Sequence, residues 1–109
     1  MVTNYERGRR FEYYIMQKLR KAGFYVIRSA GSHSLADLVA LGSNSVILVQ
    51  CKKTCPSDSG IEKLRWQVSR VFEDHGFPQN VGFYLAYSRN GAVKLLHLAG
   101  EDPLSLVPI

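Results

Sequence analysis

The apolar run Val46-Ile47-Leu48-Val49 leads directly into Gln50-Cys51-Lys52, and no other segment constrains the fold as strongly. A run this rich in β-branched residues reads as a strand. Strand side chains alternate faces, so Gln50 and Lys52 project together while Cys51 projects the other way, into a core. A preceding segment, Asp37 to Leu41, turns at Gly42-Ser43-Asn44 and returns as Ser45 to Lys52. Antiparallel pairing of the two brings Asp37 beside Gln50 and Lys52. A carboxylate, a second oxygen ligand and an ammonium around one phosphate are the groups that metal-assisted phosphodiester hydrolysis needs. The spacing D-x12-Q-x-K is loose by itself.

A first amphipathic segment tightens it. From Glu6 to Ala22, residues Phe11, Tyr14, Ile15, Leu19 and Ala22 recur at helical spacing, and Gly23 closes the helix. Glu12 borders the buried stripe, an expensive place for a carboxylate unless it meets a cation or a metal. An ordinary helix acid paired with a neighbour such as Arg9 is the simpler reading of Glu12 alone.

The remaining elements follow from local signals. Phe24 to Arg28 reads as a strand, and Ala30 to Ser34 as a loop. Thr54 to Gly60, with Pro56 and Gly60, breaks the pattern. Ile61, Leu64, Val68, Val71 and Phe72 then mark a second helix ending near Gly76. Val81 to Tyr87 and Ala92 to Leu98 form a hairpin around Arg89-Asn90-Gly91. The order αβββαββ predicts one α/β or α+β domain over 1–109, a mixed sheet flanked by helices. The apolar stretch Leu104 to Ile109 packs either on its own core or against a partner.

Within 109 residues of ordinary hydrophobic content, a net charge of +5 favours a polyanionic partner without choosing among DNA, RNA and acidic membranes. Basic residues crowd the first quarter and follow Gln50-Cys51-Lys52, which makes Arg9, Arg10, Arg28 and Lys53 the expected phosphate contacts. With no apolar leader and no segment near the ~20 apolar residues of a membrane span, an intracellular, cytoplasmic location is expected. Cys51 and Cys55 should then be reduced. A zinc site built from them with His33, His75 or His97 has only two thiols and scattered histidines behind it.

Gly8-x3-Glu12, Lys21-Ala22-Gly23-Phe24-Tyr25-Val26-Ile27-Arg28-Ser29-Ala30-Gly31-Ser32, Ala36-Asp37-Leu38-Val39-Ala40 and Val49-Gln50-Cys51-Lys52 together resemble the archaeal-type Holliday junction resolvases of the PD-(D/E)xK nuclease superfamily. The resemblance implies a restriction-endonuclease-like fold and a homodimeric, Mg²⁺-dependent endonuclease, with Mn²⁺ able to substitute. Its substrate would be four-way DNA junctions in recombination and repair, nicked symmetrically. Carried over by position, Glu12, Asp37, Gln50 and Lys52 form the catalytic set. Glu12, Asp37, Gln50 and the backbone carbonyl of Cys51 would hold metal. Ser32 would be an accessory catalytic or backbone-contacting residue, and His33 a general base or a phosphate contact. Lys52 would orient or deprotonate the attacking water, or stabilise the pentavalent phosphate.

Two departures matter: Gln50 stands where the family usually has Glu, and Tyr13 where it usually has a basic residue. The amide oxygen still suits Mg²⁺ but brings no charge. Q-x-K also occurs in Mrr-like restriction nucleases, though this chain has no room for a separate target-recognition domain. A non-catalytic nucleic-acid binder is the other alternative, but two acids near a phosphate weaken binding unless a cation sits between them. Symmetric nicking calls for a dimer, and the helix with Leu64, Trp66, Val68 and Phe72, or the tail ending in Ile109, offers apolar surface for one.

Overall fold

The computed structural model describes residues 3–29 and 34–106. Helix α1 (Asn4–Lys21) starts where the Thr3 hydroxyl accepts the Glu6 N–H at 3.1 Å. It stops at Ala22, followed by Gly23 at φ +99°, a conformation that L side chains resist. Strands β1 (Tyr25–Arg28), β2 (Leu38–Leu41) and β3 (Val46–Thr54) follow, then helix α2 (Asp58–His75), β4 (Val81–Arg89), β5 (Ala92–Gly100) and a 3-10 turn (Pro103–Leu106). The order is the expected αβββαββ.

Two boundaries differ from expectation. β3 runs past Lys52 because its pairing with β4 continues across an irregularity to Thr54↔Ser88. α2 begins before Gly60 because the Ser57 hydroxyl accepts the Gly60 N–H at 3.2 Å, which places the glycine in the first turn. The hairpin turn is as read: Asn90 and Gly91 take φ +52° and +79°, the two positive values of a type I′ turn.

The sheet order is β1-β2-β3-β4-β5, antiparallel except for the parallel β3–β4 pair that α2 connects. On one face, Phe11, Ile15, Met16 and Leu19 of α1 pack on Leu38, Ala40, Ile47 and Val49. On the other, Leu64 and Val68 of α2 pack on Phe83, Leu85 and Leu98. β4 is buried from Val81 through Ala86, as a strand covered on both faces should be. The helix face considered for dimer contact is therefore turned inward. Leu64 and Val68 lie in the chain's own core and Phe72 packs against it, leaving Trp66 exposed. No helix among the described residues is long and apolar enough to cross a membrane.

The apolar tail begins on its own core. Leu104 joins the α1-side cluster, while 107–109 lie outside the described residues. The Tyr84 hydroxyl fixes this turn by donating to Asp102 and accepting the Leu104 N–H at 3.2 Å. Burial, then the Asp102 hydrogen bond, push that hydroxyl up from its ordinary range, so it stays protonated. Tyr84→Phe leaves the buried Leu104 N–H without its acceptor and should cost about 1–3 kcal/mol. Urea unfolding checks this: the midpoint should fall with an unchanged slope, and an unmoved midpoint would mean the turn is held by apolar packing alone.

Candidate active site

Pairing of Leu38 with Val49 extends one residue beyond β2, to Asp37. The Asp37 N–H donates to the Val49 carbonyl at 2.7 Å, and its carboxylate Oδ2 accepts the Cys51 N–H at 2.8 Å. The acid is thus fixed to the strand that carries Gln50 and Lys52. Along a strand the N–H and C=O of one residue face the same neighbour, so Cys51 turns its carbonyl to the Asp37 side as well. The Cys51 side chain packs in the α1-side cluster, opposite Gln50 and Lys52 as alternation requires. Burial pushes its thiol up strongly, and the charges of Asp37 and then Glu12 push it further. Both acids therefore act on one point of β3.

Gln50 is half-buried, and its side-chain oxygen is buried with no hydrogen-bond partner. An orphaned acceptor of this kind costs about 1–3 kcal/mol. A hard cation would satisfy it, and the amide oxygen, the Asp37 carboxylate and the Cys51 carbonyl are the oxygen donors such a cation prefers. The residues present fit a divalent metal. Among the described residues no three Asp, Glu, His or Cys side chains form a metal cluster. Lys52 is exposed, on the Gln50 face of β3.

Glu12 meets a cation, as its half-buried position demands, but the cation is Arg28 on β1 rather than Arg9. The Arg28 Nε donates to Glu12 Oε1 at 3.0 Å, with both side chains partly buried. Arg28, expected as a phosphate contact, thus also holds Glu12 through its Nε. The guanidinium groups of Arg9 and Arg28 both lie 5.8 Å from the centre of the Tyr13 ring, within cation–π reach. Arg10 and Lys53 are exposed and line one groove. Ser32 and His33 lie outside the described residues. The zinc alternative does not assemble from the remaining groups. The Cys55 thiol donates to the Pro56 carbonyl, His75 stacks on Phe77, and the His97 ring bonds the Gly100 carbonyl.

Sequence reasoning missed Arg28 as the partner of Glu12, because no spacing rule links residues sixteen apart on different elements. It also gave no role to Arg65. Arg65 donates to the His97 and Leu98 carbonyls of edge strand β5 at 3.2 and 3.4 Å.

Comparison with known proteins bears on this arrangement. The crossover junction endodeoxyribonuclease Hjc of Methanocaldococcus jannaschii is 39% identical over 63 residues, 58% of this chain and 47% of that protein. The chain spans about half the length of that relative. The crystal structure of Hjc from Archaeoglobus fulgidus, a Holliday junction resolvase from an archaeal hyperthermophile, superposes with a TM-score of 0.56 at 26% identity, covering 84% of this chain and 73% of that one. The family model for archaeal Holliday junction resolvases matches residues 3–77, a span that takes in α1, the pinned Asp37 and the whole of β3 and α2. Of the two nuclease families whose motifs the sequence shares, it is the archaeal Holliday junction resolvase family to which this chain belongs.

Proposed function

We propose that this chain is a structure-selective endodeoxyribonuclease that resolves four-way DNA junctions by paired, Mg²⁺-dependent nicks, acting as a homodimer. The observation that carries the reading is the orphaned Gln50 oxygen on the strand to which Asp37 is pinned, with Lys52 two residues on. When bound, the cation polarises the phosphate and lowers the pKa of a coordinated water. Asp37, aimed by the Cys51 N–H, would hold it through a carboxylate oxygen, together with the Gln50 amide oxygen and the Cys51 carbonyl. Glu12, drawn toward Arg28, adds its charge directly or through water. Lys52 orients or deprotonates the attacking water, or balances the charge that grows on the phosphate. Because Gln50 is neutral, the site holds a dication with one negative charge fewer than a glutamate would give it. Two symmetric nicks require two sites related by a two-fold axis.

Incubation of the protein with a four-way junction, a matched duplex and a single strand, in Mg²⁺ and in chelator, tests the reading. Paired nicks in the junction alone, only with metal, are expected. Sedimentation at micromolar concentration should give twice the chain mass. Equal cutting of duplex and junction would reject the substrate, and a monomer on and off DNA would reject the symmetric mechanism.

A further inference from the structure

Away from Asp37 and Gln50, α1 and the β4–β5 hairpin enclose a trough made of two adjoining cavities of about 630 and 400 Å³ that share Tyr14, Gly91 and Val93. Arg7, Arg10 and Lys53 line the wider end, and Lys18 and Lys94 the narrower. No carboxylate lines either. Positions 7, 10, 14 and 18 share one stripe of α1, and Glu12 turns about 120° or more away from each of them. Aromatic rings steady two of the cations. The Lys18 ammonium lies 5.5 Å from the Tyr14 ring centre, and that of Lys53 5.6 Å from the Phe11 ring centre.

The dimensions suit one nucleic-acid strand. From Arg7 to Lys18 the helix rises roughly 16 Å, long enough to follow several successive phosphates of one strand. The trough reaches the Glu12 end of the site, since Phe11, which lines it, precedes Glu12 on α1.

We propose that this trough takes the phosphodiester backbone of one DNA strand as it leaves the cleavage site, with Arg7, Arg10, Lys18, Lys53 and Lys94 as its phosphate contacts and the β4–β5 hairpin as its outer wall. The proposal rests on the nuclease reading above for the identity of the ligand. It adds a second binding surface, carried by α1 and the β4–β5 hairpin with Lys53 of β3 at its edge.

The test measures junction affinity of the full chain across a salt series without metal, so that cleavage does not enter. The triple variant Arg7→Gln, Lys18→Gln, Lys94→Gln removes three trough cations. The control Lys21→Gln, Lys63→Gln, Arg70→Gln removes the same charge from exposed positions outside the trough. Each lost phosphate contact lowers the slope of log K against log salt by about 0.9, so the trough variant should be shallower by about 2 to 3 and the control by less than about 1. Equal changes in both would mean that only bulk charge matters, and an unmoved trough variant would exclude DNA from the groove. If the triple variant fails to fold, Lys94→Glu against Lys63→Glu makes the same comparison, since charge reversal in the trough should weaken binding at least about tenfold more. A parent protein that nicks junctions while the trough variant binds like the parent would reject the trough alone. A parent that binds DNA without cutting it, with the slope change present, would reject the nuclease reading alone.

Discussion

Asp37→Asn and Lys52→Ala should each lower junction nicking by about 10²–10⁴-fold while leaving metal-free junction binding within about threefold of the parent. The two losses have different origins. Asparagine keeps an oxygen for the Cys51 N–H, so the local strand pairing survives, but the anionic metal ligand is gone. Alanine at 52 removes an exposed ammonium that acts where charge develops, not where the duplex is held. Affinity comes from the surrounding cations, and removing an acid beside the phosphate can only favour binding. Single-turnover nicking with a gel-shift measurement of binding checks both halves. Either variant cutting within a few-fold of the parent would mean that the site is elsewhere.

Gln50 offers a second large effect, with a readout that does not depend on activity. Its orphaned oxygen is destabilising until a cation arrives. Gln50→Leu, close in volume, should therefore unfold at higher denaturant without metal by about 1 kcal/mol, and should lose the stabilisation that Mg²⁺ gives the parent. Gln50→Glu should do the reverse. A buried carboxylate without a counter-ion lowers metal-free stability, whereas an added charge on a hard dication lowers the Mg²⁺ needed by about tenfold or more. Thermal unfolding in chelator and across a Mg²⁺ titration reads both. If the three proteins respond to Mg²⁺ alike, Gln50 is outside the coordination shell, and Asp37 and Glu12 remain as the side-chain ligands.

The engaged state of Glu12 bears on both experiments. Arg28 neutralises one of the two carboxylates that act on Cys51, in a chain that already lacks a charge at position 50. Asp37 is then the main source of negative charge for a dication, which is why its substitution is expected to have the larger effect on metal.

Much of this was legible in the sequence because it follows from local rules. Helical periodicity and Gly23 bound α1; the Asn90-Gly91 pair specified a type I′ hairpin; strand alternation placed Cys51 in the core and Gln50 and Lys52 opposite it. The short turn between β2 and β3 brought Asp37 to the strand of Gln50, since two strands joined by a few residues pair antiparallel. What the tertiary structure alone decided concerns which surfaces meet. The same periodicity that marks Leu64, Val68 and Phe72 as an apolar stripe cannot say whether a sheet or a second subunit covers it, and here the chain's own sheet does. The demand of Glu12 for a cation can be read from its position, but the answer, Arg28, depends on β1 docking beneath α1. The same holds for the Tyr84 hydroxyl that ties down the turn after β5, and for the unpartnered oxygen of Gln50. A pattern of residue types determines what each group requires. Whether the requirement is met, and by which group, is a matter of packing between elements distant in the chain.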